Sequence, residues 1–230
     1  MCVINIIRII RSLESLFPTQ TIKVGHIEHR YYGDSCIGEV QMFDTYVKKS
    51  IRDFKQYKFT TSDVLKKIYS KTKYVHNLIH ARGEPKFERN RYKVELEPVG
   101  LPVKPKTEEE LKVAIKCILL GLKEIHKLEI VHRDIRWENV IQISGTDWCL
   151  IDFEHSGKAG KEPDFLLEWW APEIIYEKQK YHKSADVYLV GRLIDTCNIT
   201  LSESAIEFRD RLIDVNPEQR YTTEMALNVL

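Results

Sequence analysis

RYKVELE, residues 91–97, alternates charged and apolar side chains, with Tyr92, Val94 and Leu96 on one face. A period of two over this length predicts a half-buried strand. Upstream, TSDVLKKIYSKTKYVHNLI changes period: Val64, Leu65, Ile68 and Tyr69 share one face of a helix. Pro102 and Pro105 then break the pattern in VGLPVKPKT. After the break, Thr107 and Glu110 have the spacing of a capping box. Leu111, Ala114, Ile115, Ile118, Leu122 and Ile125 continue at helical spacing to about Lys127, a stripe wide enough for the central helix of a lobe. VIQI and WCLID read as two short buried strands around the turn SGTD, and SADVYLVGRLIDTC and ESAIEFRDRLI read as helices. The pattern predicts an α+β chain: a small strand-rich lobe over 1–97 that includes an N-terminal extension, a hinge over 98–106, and a larger, mainly helical lobe over 107–230.

Length and composition narrow the classes of function. The 230 residues allow one large domain or two lobes sharing a cleft, enough to bury a core without disulfides. A net charge of +1 argues against binding nucleic acid or an acidic membrane through bulk electrostatics. The five cysteines are scattered and form no CxxC pair, so they read as reduced thiols of an intracellular protein, cytoplasmic or nuclear. The N-terminal stretch MCVINIIRIIRSLESLF is apolar but carries Arg8 and Arg11. It is too short and too charged to span a bilayer, and is expected as an amphipathic element packed on the domain.

The densest chemistry lies in VHRDIRWENV, residues 131–140. Asp134 and Asn139 stand five apart, and Asp152 follows 18 residues after Asp134, beyond the expected hairpin. A hairpin between them sets the two loops side by side at one sheet edge, so two carboxylates and an amide oxygen converge. Such hard oxygen ligands suit Mg²⁺, which takes one or two carboxylates plus phosphate oxygens.

HRDIRWEN, then DFE, then APE resembles the catalytic half of the protein-kinase family, whose pattern is H-R-D-L-x-x-x-N, D-F-G, A-P-E. The likeness covers about residues 90–230, and five motifs follow in family order. It implies a bilobal kinase-like fold and an ATP- and Mg²⁺-dependent phosphotransferase acting on a Ser/Thr or other hydroxyl, with a protein substrate as partner. Asp134 would accept the hydroxyl proton, Asn139 and Asp152 would hold the metal, and Arg136 would reach the transferred phosphate in place of the usual Lys. His132 and Arg133 would brace the loop, Asp186 would hold it from below, and Glu173 would pair with Arg220. Trp137, Trp169 and Trp170 are expected in packing roles and Glu138 in solvent.

The resemblance thins in the small lobe. GDSCIGEV is the best candidate for the nucleotide-covering loop, with Gly33, Gly38 and Val40 aligned but Ser35 in place of the middle glycine. Lys48 in TYVKK is the candidate for the strand lysine that grips phosphate, and the helix near 62–72 offers no Glu to pair with it, only Asp63. Glu154 replaces the glycine of D-F-G, where a side chain restricts backbone freedom. From Phe153 to Pro172 the only hydroxyl side chain is Ser156. Two alternatives to an active protein kinase remain: a pseudokinase serving as an interaction or nucleotide-binding scaffold, and a kinase-like enzyme for small molecules.

Overall fold

A computed structural model describes residues 26–32, 36–162 and 164–230, with side chains from Gly38 onward. Residues 1–17, expected as an amphipathic element, and the loop residue Gly33 lie outside the described residues. The small lobe is an antiparallel sheet built from β1 (His26–Tyr32), β2 (Cys36–Met42), β3 (Val47–Arg52), β4 (His80–Ala81), β5 (Lys86–Glu88) and β6 (Arg91–Glu97). Its order is β1-β2-β3-β6-β4, with β5 also on β6. The alternation read in RYKVELE is real: Tyr92, Val94 and Leu96 are buried and the residues between them are not.

One α-helix, α1 (Ser62–Lys71), lies between β3 and β4 in the chain. Thr61 caps it, its hydroxyl accepting from the Val64 N–H at 3.4 Å. Val64, Leu65, Ile68 and Tyr69 are its buried face. The chain leaving α1 bonds to the large lobe before it forms β4. Leu78 bridges Leu150 in parallel, with Leu150 N–H donating to Asn77 O (2.9 Å) and Ile79 N–H to Leu150 O (3.0 Å). Gly121 makes room for this seam, since a Cβ there would stand 2.6 Å from Leu78 Cδ2 and 2.9 Å from Asn77 O.

The large lobe is organised around α2 (Glu108–Lys127). Thr107 caps it from the Glu110 N–H (3.2 Å), while the Glu110 carboxylate reaches back to the N–H of Lys106 (2.7 Å). Three acids in its first turn and His126 and Lys127 in its last oppose the helix dipole. Residues 98–106 run from β6 to α2, and Leu101 exchanges two backbone hydrogen bonds with Gln142 (2.8 and 2.9 Å). Two small sheets carry the loops: β7 (Ile130–Val131) pairs β10 (Gly157–Lys158), and β8 (Val140–Gln142) pairs β9 (Trp148–Leu150). The remaining helices are α3 (Pro172–Ile175), α4 (Lys183–Asp195), α5 (Glu203–Leu212) and α6 (Thr223–Val229). The result is the α+β, two-lobed class expected from the patterning.

Helix α4 meets the end of α5 at Gly191. A Cβ at this position would stand 2.4 Å from Ile213 Cγ2 and 2.9 Å from Leu212 Cβ. Overpacking of this kind costs about 1–3 kcal/mol. Gly191→Ala is therefore expected to lower the midpoint of thermal unfolding despite alanine's better helix propensity; an unchanged or raised midpoint would contradict this packing.

Candidate active site

Asp186, near the start of α4, holds the loop that follows β7. Its carboxylate is fully buried and accepts from the backbone N–H groups of His132 (2.7 Å) and Arg133 (2.9 Å), from Tyr181 Oη (3.1 Å) and from His126 Nε2 (3.0 Å). Burial alone would raise its pKa, but the hydrogen bonds from His126 and the Arg133 N–H outweigh burial and hold the carboxyl below the usual range. Arg133 takes a left-handed backbone (φ 71°), which turns the chain into the site. Its carbonyl accepts from Trp170 Nε1 at 2.6 Å. His132 is wholly buried, and burial lowers its pKa, so it is neutral. Its Nδ1 accepts from the Asp134 N–H (3.2 Å), which leaves the proton on Nε2 to bond Ile151 O (3.0 Å).

These bonds aim Asp134, whose side chain is 1% exposed. Asn139 Nδ2 donates to Asp134 Oδ2 (2.7 Å) and to its carbonyl (2.8 Å), closing the loop on itself. With both amide hydrogens used there, the Asn139 oxygen is the atom left to a cation. Arg136 Nε lies 3.2 Å from Asp134 Oδ1, and His155 Nδ1 lies 3.5 Å from Oδ2. Burial lowers the His155 pKa against the pull of the Asp134 and Asp152 carboxylates. Trp137 anchors the loop from behind through Nε1 to Leu193 O (3.0 Å), and Glu138 is exposed, as expected.

Asp152 leaves β9 in a left-handed conformation (φ 71°, ψ 70°), one that Asp tolerates better than most residues. It is followed by a single 3₁₀ turn, Phe153–His155. The strained backbone in this motif is at Asp152; Glu154 has no positive φ and so does not need glycine's freedom. Phe153 is fully buried, its ring 5.6 Å from Tyr69 and 5.5 Å from His132.

The lysine that reaches this point is Lys49, a correction to the reading of Lys48. Lys49 Nζ lies 2.7 Å from Asp152 Oδ1 and 2.7 Å from Glu154 Oε2. The reason is strand register. Val47, Lys49 and Ile51 pair with Leu96, Val94 and Tyr92, the buried face of β6, whereas Lys48 pairs with the exposed Glu95. A shift of one residue moves a side chain to the opposite face. Glu154 is 0% exposed, and its other oxygen accepts from Tyr92 Oη at 3.0 Å. Burial pushes its carboxyl up to about 7, with Lys49 pulling down and Asp152 pushing up.

Residues 91–199 match the model of the protein kinase domain. Crinkler effector protein 8 of Phytophthora infestans is 30% identical over 177 residues, covering 70% of this chain and 30% of that protein. The serine/threonine-protein kinase cst-1 of Caenorhabditis elegans is 32% identical over 123 residues, 50% of this chain and 22% of that kinase. The mitogen-activated protein kinase spm1 of Schizosaccharomyces pombe is 31% identical over 100 residues, 39% of this chain and 24% of that kinase. This chain is protein-kinase-like. It spans well under half the length of these relatives.

Within the kinase-like frame, the other expected residues fall as follows. Glu173 and Arg220 form a buried bidentate pair (2.6 and 2.8 Å). Gly38 and Val40 lie in β2, and Val40 is directly opposite Lys49. Trp170 is buried, whereas Trp169 is 41% exposed with the Arg136 guanidinium 5.2 Å over its ring. Trp169 and Arg136 border a groove of about 380 Å³ that also reaches Lys104, Tyr176 and Arg192. The sequence reading missed Lys49 and the partnership of Glu154. The first was legible in the alternation of Val47, Lys49 and Ile51; the second had one signal, an acid set within the apolar run LIDF.

Proposed function

We propose that this kinase-like chain is an active, ATP-dependent phosphotransferase that moves the γ-phosphoryl group of Mg-ATP to a Ser/Thr hydroxyl of a protein substrate. The observation that carries the reading is the meeting of Asp134, Asn139, Asp152 and Lys49 across the cleft. Asn139 and Asp152 would hold Mg²⁺. Among the described residues no cluster of three or more His, Cys, Asp or Glu forms a metal cage, which suits an ion held by few protein ligands and by phosphate oxygens. When bound, Mg²⁺ neutralises charge on those oxygens. Lys49 would bind phosphate oxygens, and Val40 and Gly38 on β2 would cover the nucleotide.

Asp134 accepts the proton of the substrate hydroxyl as its oxygen bonds the γ-phosphorus, and the bond to the β-phosphate oxygen breaks to release ADP. Arg136, with its Nε 3.2 Å from Asp134 Oδ1, would pair with the transferred phosphoryl. The groove beside Trp169 would seat the substrate chain. No helix among the described residues is long and apolar enough to cross a membrane. The free thiols Cys117, Cys149 and Cys197 and the need for ATP favour an intracellular site of action.

Binding is the first test. At a hundredfold excess over Kd, Mg-ATP should stabilise the protein by about 2.7 kcal/mol, a rise in Tm of roughly 5–10 °C for this size. Lys49→Met should remove most of that rise and Lys48→Met should not. No shift at millimolar Mg-ATP would rule out the reading. One observation favours a second reading, a scaffold that does not turn over: the covering loop has Ser35 in place of its middle glycine. Nucleotide binding without transfer of labelled γ-phosphate to protein would favour it, and transfer to metabolites alone would point to a small-molecule kinase.

A further inference from the structure

The buried face of α1 is Val64, Leu65, Ile68 and Tyr69, and the helix's one acid, Asp63, is exposed. No carboxylate on α1 can therefore orient the strand lysine. We propose that Glu154 does so instead, acting as the positioning residue for Lys49 from the turn after β9. The inference rests on the phosphotransferase reading of the same site.

Three features support it. First, both Glu154 oxygens are engaged: Oε2 meets Lys49 Nζ at 2.7 Å and Oε1 accepts from Tyr92 Oη at 3.0 Å. Tyr92 lies on β6 directly opposite Ile51 of β3, so the carboxylate is tied to the strand pair that carries Lys49. Second, the turn bearing Glu154 is itself fixed. Ser156 N–H bonds Phe153 O (2.9 Å), and Phe153 is packed between the Tyr69 and His132 rings. Third, Glu154 is fully buried, and a buried carboxylate persists only where it is paired and hydrogen-bonded.

The arrangement divides the work of two neighbouring acids. Asp152, at the strand end, would meet the metal, while Glu154 keeps the ammonium in place when Asp152 turns to that ion. A glycine at 154 would leave Lys49 dependent on Asp152 alone for its carboxylate within this motif. It follows that the lysine's position is set by strands β3 and β6 and the turn after β9, without a contribution of charge from α1.

The test compares wild type with Glu154→Gln, Glu154→Asp, Glu154→Gly, and a double variant, Glu154→Gly with Tyr69→Glu, which moves the acid to α1 at a buried position near Phe153. Glu154→Gln is expected to raise KM for Mg-ATP by about 10–100-fold, the loss of one charge-assisted bond, with KM for the protein substrate unchanged. Glu154→Asp should keep part of the wild-type affinity, and the double variant should bind Mg-ATP more tightly than Glu154→Gly alone. A wild-type KM for ATP in Glu154→Gln would overturn the proposal, whatever happens to kcat. A second measurement separates this from failure of the enzymatic reading. In the nucleotide-free protein the ¹⁵N ammonium signal of Lys49, assigned with Lys49→Arg, should be shifted and broadened in Glu154→Gln. If wild type neither binds nor transfers phosphate, the phosphotransferase reading fails while this signal still decides whether Glu154 holds Lys49; an unchanged signal overturns the proposal.

Discussion

Asp134→Asn is expected to lower phosphoryl transfer by roughly 10²–10⁴-fold, the usual weight of a general base, while the Mg-ATP-induced rise in Tm stays near that of wild type. The loop's geometry explains the separation. His132 and Arg133 are fixed through their backbone N–H groups by Asp186, not by the Asp134 side chain. An asparagine can still accept from Asn139 Nδ2 through its amide oxygen, so the loop keeps its closure, and Asn139 keeps its oxygen for the metal. What disappears is a carboxylate able to take a proton. Transfer of labelled γ-phosphate by the two proteins, measured at saturating nucleotide, checks this. Equal rates would mean that the measured activity is background, and would move the chain to the scaffold reading.

The second large effect is structural. Asp186→Ala leaves two backbone N–H groups, a tyrosine hydroxyl and an imidazole facing a buried void. Losing one partner of a buried, charged network costs about 3–5 kcal/mol, or roughly 6–20 °C in Tm for a chain of this length. The pH dependence follows from the sign of the shift. The Asp186 carboxyl is held below its ordinary value, so its stabilisation is present above the unfolded-state pKa of about 3.9 and is lost as pH falls through the lower folded-state value. Denaturation curves should therefore show the variant's deficit at neutral pH narrowing in acid. A deficit that is constant down to pH 2 would mean that the carboxylate's charge is not what matters.

Much of the scaffold was legible because its signals are local. The stripe from Leu111 to Ile125 is a helix stripe wherever it occurs, and Thr107 with Glu110 marks its start within four residues. The alternation of Tyr92, Val94 and Leu96 needed no neighbour to be read. The placement of Asp134 next to Asn139 likewise follows from a short loop. Long-range pairings were harder. Lys48 and Lys49 are chemically identical, and only the face of β3 separates them; Ile51 two residues later decides it, because its side must be the buried one. In the sequence Glu154 reads as a backbone restriction. Its partners stand 105 and 62 residues away on two strands, a distance no local pattern spans.

The seam at Leu78 and Leu150 bears on how the cleft works. Two backbone bonds and the close approach of Gly121 clamp the segment after α1 to the β8–β9 hairpin and to α2. Local opening starts where such bonds are fewest. On the far side of the sheet, β1 is an edge strand paired only with β2 among the described strands, and the β1–β2 hairpin is tied to the rest through β3. The back wall of the cleft thus carries more ties than its roof, and in the proposed phosphotransferase a nucleotide would enter and leave on the side of the roof. In that reading, substitutions in β1, away from Gly38 and Val40, would change the rate of product escape more than the rate of phosphoryl transfer.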